Sequence, residues 1–60
     1  MNPSAHVTSR PLILLVDDEA NNLQVLRHIL QDDYRLMFAK DGHKALQLVQ
    51  TEKPDLILLD

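Results

Sequence analysis

Leu12-Ile13-Leu14-Leu15-Val16-Asp17-Asp18-Glu19 is the stretch on which the architecture turns. Five apolar residues run without a break into three acids. A short, branched, unbroken apolar run suits a strand buried on both faces. The acids cannot stay in that core, because burying an unpaired carboxylate is costly. The strand must therefore surface at Asp17, with its acids at the C-terminal edge of a sheet. Leu56-Ile57-Leu58-Leu59 repeats the pattern and ends at Asp60. If the two strands are parallel neighbours, Asp17, Asp18 and Asp60 meet at one spot. Three carboxylates there repel one another unless a cation or a proton joins them.

The segments between the strands follow a helical period. At about 100° per residue, Leu23, Val25, Leu26, Ile29 and Leu30 share one arc, and Gln24, Arg27, His28 and Gln31 lie opposite. Asn21 and Gln24 have the spacing of a capping pair, which predicts a start between Ala20 and Asn22. Asp32-Asp33 ends that helix. Tyr34 to Ala39 alternates weakly, and Arg35 within it is easiest to place on a sheet edge. Lys40-Asp41-Gly42 reads as a turn and helix entry. Ala45, Leu46, Leu48 and Val49 then form one face, and Lys53-Pro54 closes the helix, since the residue before proline is pushed out of the α region.

The order is thus β-α-β-α-β, with strands ending near residues 17, 39 and 60. Near-even βα spacing predicts an α/β fold with a parallel sheet. With the first strand between the other two, right-handed crossovers put the helices on opposite faces. That gives the strand order 2-1-3, the opening of a flavodoxin-like, doubly wound sheet. Ligands bind such sheets outside the carboxyl ends, where the strand order reverses, which is where Asp17, Asp18 and Asp60 would lie. In this order the third strand is a wholly apolar edge, which invites pairing. The expectation is that residues 11–60 are the N-terminal part of a larger domain cut at Asp60, with residues 1–10 a flexible lead-in. A short form that hides the edge as a homodimer is the alternative.

Composition narrows the function. The 60 residues are 45% hydrophobic and 25% charged, with a net charge of −3, so they suit one small globular domain with no basic patch for nucleic acid. The absence of cysteine excludes disulfides and thiolate metal sites. No apolar run approaches a membrane span and the N-terminus lacks a secretory core, so a cytoplasmic chain is expected. No glycine-rich loop follows the first strand, which disfavours dinucleotide binding. His6, His28 and His43 share no ligand spacing. Asp32, Asp33, Asp41 and Asp55 read as turn residues, and Met37 and Phe38 as packing.

Leu15-Val16-Asp17-Asp18-Glu19 before an amphipathic helix, Asp41-Gly42 before a second, and Pro54-Asp55-Leu56-Ile57-Leu58-Leu59-Asp60 together resemble the receiver domain of two-component response regulators. The resemblance covers residues 12–60, about the first half of such a domain. It implies that Asp17 and Asp18 bind Mg²⁺ and that Asp60 accepts a phosphoryl group from a histidine kinase or phosphotransfer protein, with Asp60 also a metal ligand. It implies a phosphoacceptor signalling module rather than an enzyme, with any output activity in a fused domain. The Ser/Thr after strand four, the Lys after strand five and the main-chain carbonyl past the acceptor, which the family also uses, are not among these 60 residues, which are therefore not expected to be competent alone. Two other readings stand beside it. One is an unphosphorylated receiver-like interaction module. The other is a haloacid-dehalogenase-like phosphotransferase, whose Asp-x-Asp pattern would need an aspartate where Glu19 stands.

Overall fold

The computed structural model describes residues 10–59. The expected lead-in at residues 1–9 and the expected acceptor Asp60 lie outside the described residues. Five elements alternate: β1 (Leu12–Val16), α1 (Ala20–Leu30), β2 (Arg35–Ala39), α2 (Gly42–Glu52) and β3 (Leu56–Leu59). The three strands form one parallel sheet in the order β2-β1-β3. The expected 2-1-3 order is therefore present.

Why β1 is apolar throughout follows from its place. It is central in the sheet, and alternate side chains enter different layers. Ile13 and Leu15 form a core with Leu23 of α1, joined by Leu26, Leu30, Tyr34 and Leu36. Leu14 and Val16 form the other core with Ala39 and Ala45, joined by Met37, Leu48 and Val49. Leu14 and Leu15 are fully buried, each in a different layer. One strand thus anchors both helices, which places them on opposite faces. Burying such side chains stabilises the fold by about 1.5–3 kcal/mol each.

Two apolar stripes are narrower than the helical period predicts. Val25 and Ile29 of α1 and Leu46 of α2 are exposed, although they share arcs with buried neighbours. The cause is geometric: α1 leans on the core through Leu23, Leu26 and Leu30, and α2 through Ala45, Leu48 and Val49. Val25, Ile29 and Leu46 lie at the margins of those stripes. On β3, Leu56, Ile57, Leu58 and Leu59 are all exposed. The apolar edge expected at the third strand is real.

Helix ends are set by particular groups. The Asp41 carboxylate accepts the Lys44 N–H at 2.8 Å and caps α2. Lys53 closes α2 in the left-handed region, at φ 52° and ψ 63°, while its N–H donates to the Val49 carbonyl. Proline at 54 disfavours the right-handed conformation for Lys53, so the chain leaves the helix there. Arg27 and His28 stand in the last turn of α1, where positive charge suits the helix dipole. Arg35 is exposed on edge strand β2, and its Nε donates to the Arg10 carbonyl at 3.1 Å.

Candidate acidic site at the strand exits

The site begins where β1 ends. Asp17 follows Val16 directly, and its N–H donates to the Ala39 carbonyl at 3.1 Å. This bond carries the β1–β2 ladder one residue past the strand. It fixes the backbone of Asp17 at the C-terminal edge of the sheet.

The side chain is fixed as well. Asp17 is only 6% exposed, the one buried charged residue among those described. A buried carboxylate needs partners. Its Oδ1 accepts the Glu19 N–H at 2.9 Å, and its Oδ2 accepts from the Asn22 side-chain amide at 3.1 Å. Among the described residues, no buried side-chain polar atom lacks a hydrogen-bond partner. Asp18 and Glu19, by contrast, are exposed.

The Asp17 contacts also start α1. Glu19 occupies the N-cap position with extended backbone, and its carbonyl accepts from the Asn22 and Leu23 N–H groups at 3.1 and 3.3 Å. The Glu19 side chain makes no capping bond. The helix begins at Ala20, within the expected window, but not through the Asn21–Gln24 pair. Asn22 is the residue that the sequence reading passed over. An asparagine one turn into a helix, directly after an acidic strand exit, is the signal that could have marked it.

β3 brings its C-terminal end to the same edge. It runs parallel to β1 in the register Ile13↔Leu56, Leu14↔Ile57, Leu15↔Leu58 and Val16↔Leu59. A clasp at the far end holds this pairing: the Leu12 N–H donates to Asp55 Oδ2, and the Asp55 N–H to the Leu12 carbonyl, both at 2.8 Å. Between β3 and α1 lies a cavity of about 380 Å³, lined by Val16, Asp17, Asn22, Val25, Leu26, Leu58 and Leu59. Its walls are apolar except for Asp17 and Asn22. Among the described residues, no three His, Asp or Glu side chains gather closely enough to hold a metal ion. The trio expected from the sequence includes Asp60, which is outside that set.

Fold and site define a class: an open parallel α/β sheet with an acidic doublet at the carboxyl end of its central strand, beside the point where strand order reverses. Residues 13–60 match the response regulator receiver domain family. The chain belongs to that family, a signalling class of two-component systems. It is similar to the alkaline phosphatase synthesis transcriptional regulatory protein PhoP of Bacillus subtilis, with 47% identity over 49 residues, 80% of this chain and 20% of that protein. It is also similar to the sensor histidine kinase GacS of Pseudomonas protegens, with 38% identity over 60 residues, 97% of this chain and 6% of that protein. The sensor histidine kinase TmoS of Ectopseudomonas mendocina is 36% identical over 53 residues, 88% of this chain and 5% of that protein. The chain spans a fifth or less of the length of these curated relatives. No solved structure matches it. No helix among the described residues is long and apolar enough to cross a membrane.

Proposed function

We propose that this chain carries the acidic half of a phosphoacceptor site, in which Asp60 receives a phosphoryl group from a histidine kinase or phosphotransfer protein and Asp17, Asp18 and Asp60 hold Mg²⁺. The observation that carries the reading is the β1–β3 register. Val16 and Leu59 are partners, and the next residues in sequence after the two strands are Asp17 and Asp60.

The donor set suits the ion. Mg²⁺ takes oxygen ligands and keeps several waters, so carboxylates match it and no imidazole or thiolate is needed. Carboxylates that ligate metals are themselves hydrogen-bonded, and Asp17 accepts from Glu19 and Asn22 in that manner. When bound, the ion supplies positive charge that offsets the anionic phosphoryl group entering an acidic site.

The protein's own groups do the rest. One Asp60 carboxylate oxygen attacks phosphorus, a P–O bond forms, and the P–N bond to the donor imidazole breaks. The electron pair of that bond leaves on the imidazole nitrogen. Asp17, tethered at backbone and side chain, is a fixed element of the site, whereas Asp18 is exposed and has freedom to adjust. On this reading the chain is a cytoplasmic switch, a fused output domain makes the response, and nucleic acid and membrane are not its direct partners.

The test is mass spectrometry of a complete receiver domain that contains these 60 residues, after incubation with Mg²⁺ and acetyl phosphate. The expected result is one phosphoryl adduct on Asp60, absent in Asp60→Asn and absent without divalent ion. No adduct from either acetyl phosphate or a phosphorylated kinase would overturn the reading and leave an interaction module. An adduct on Asp17 would instead indicate a phosphotransferase that uses the first strand's acid.

A further inference from the structure

We infer that Asn22 is a positioning residue for the acidic site, and that its side-chain amide sets the orientation in which Asp17 meets a divalent cation. The inference rests on the reading of Asp17 as a Mg²⁺ ligand and goes beyond it, since Asn22 is not itself a ligand.

The argument starts from the chemistry of the contact. An ionised carboxylate only accepts hydrogen bonds, so the group that faces Asp17 Oδ2 at 3.1 Å must be the NH₂ end of the amide. The backbone of Asn22 has a separate task, because its N–H donates to the Glu19 carbonyl and closes the first turn of α1. The side chain is exposed and belongs to neither core cluster. It is therefore not needed to bury apolar surface or to build the helix, and its recorded contact is with Asp17.

What that contact adds is direction. The Glu19 N–H holds Oδ1 from the strand-to-helix turn, and the Asn22 amide holds Oδ2 from one turn into the helix. Two donors on two oxygens fix the plane of the carboxylate. Without Asn22, the donor that reaches Oδ2 from α1 is gone, and the plane of the carboxylate is less constrained. Groups in this supporting position typically change metal affinity by about 10–100-fold when removed.

The experiment compares the full wild-type chain with Asn22→Leu, which keeps the bulk and loses the donor, and Asn22→Gln, which keeps the donor on a longer arm. Metal-free, side-chain scalar couplings report the Asp17 χ1 populations. Titration with Mg²⁺ alone then gives the affinity, and urea unfolding gives the stability. The expected result for Asn22→Leu is an unfolding midpoint lowered only slightly, as for one lost hydrogen bond, Asp17 spread over more than one rotamer, and Mg²⁺ bound about tenfold or more weakly. Asn22→Gln recovers part of both. An Asn22→Leu chain with a single Asp17 rotamer and wild-type Mg²⁺ affinity would overturn the inference. So would a loss of affinity matched by an equal loss of stability. A wild-type chain that takes no Mg²⁺ at Asp17 would overturn the functional reading, while the metal-free couplings would still decide whether Asn22 orients Asp17.

Discussion

Leu12 and Asp55 hold each other by two hydrogen bonds of 2.8 Å, one from the Leu12 N–H to the Asp55 carboxylate and one from the Asp55 N–H to the Leu12 carbonyl. They join the first residue of β1 to the residue that precedes β3. The pairing Ile13↔Leu56 begins immediately after, and the same register continues to Val16↔Leu59 at the acidic end. A slip of one residue would turn every β3 side chain to the other face. Asp55→Ala is expected to cost about 1 kcal/mol of stability, the usual net worth of one hydrogen bond. Asp55→Asn keeps an acceptor and should cost less. Urea unfolding measures both, and faster amide exchange at Leu12 in the alanine variant alone would locate the loss at the clasp.

Entry to α2 gives a second prediction, built on neighbours with opposite roles. Asp41 caps the helix through the Lys44 N–H, so Asp41→Ala should cost about 1 kcal/mol. Gly42 has no positive φ, and a Cβ built there meets nothing within 4 Å. Gly42→Ala should therefore raise stability, by about 0.4–1 kcal/mol, because the unfolded chain loses freedom while the folded one is unstrained. Opposite shifts of the urea midpoint for the two variants would be the check. A loss of stability in Gly42→Ala would mean that the first turn of α2 is tighter than it stands here.

Much of this was legible in the residues, and where it was not the reasons are physical. The strand order could be read because Leu12 to Val16 is apolar at every position, which only a central strand with two covered faces requires. The acidic exit could be read because Asp17 cannot sit inside that core. Asp55 and Asp41 were legible as turn residues but not as a clasp and a cap, since both roles depend on a partner elsewhere in the chain. Val25, Ile29 and Leu46 share the arcs that periodicity marks yet stand exposed, because periodicity does not say how much of an arc a two-sided core of this size can cover. Asn22 was missed because a polar residue on a helix ordinarily faces water, and only the burial of Asp17 gives it another task.

Lys53 supports a third prediction. It sits at φ 52°, a conformation that costs an L-residue with a side chain about 1–2 kcal/mol relative to the right-handed region. Glycine adopts it without that penalty and commonly ends helices in this way. Lys53→Gly should raise stability by about 0.5–1 kcal/mol, somewhat less than the strain removed, because glycine also gives the unfolded chain more freedom. Lys53→Val, β-branched, should lower it. Thermal unfolding of the two variants would test the pair, and equal midpoints would show that the helix end relaxes to a different geometry.

Metal linkage provides the last prediction, and it separates Asp18 from its neighbour. Asp18 is exposed, whereas Asp17 is buried and its carboxylate accepts from Glu19 and Asn22 at the start of α1. Replacing Asp18 with Asn removes one negative charge from an acidic cluster without breaking a recorded contact. The metal-free Asp18→Asn chain should therefore be at least as stable as wild type, since like charges in one place repel. Mg²⁺ should stabilise the wild-type chain in proportion to the logarithm of its concentration, by about 1.4 kcal/mol for each tenfold increase once the ion exceeds its dissociation constant. If Asp18 holds the ion as proposed, Asp18→Asn should shift that rise to higher Mg²⁺ with the slope unchanged, because a charged ligand becomes a neutral one while the rest of the site is intact. Thermal unfolding across a Mg²⁺ series, with ionic strength held constant, reads all three quantities. A wild-type midpoint that ignores Mg²⁺, or a variant that responds at the same concentrations as wild type, would remove Asp18 from the site.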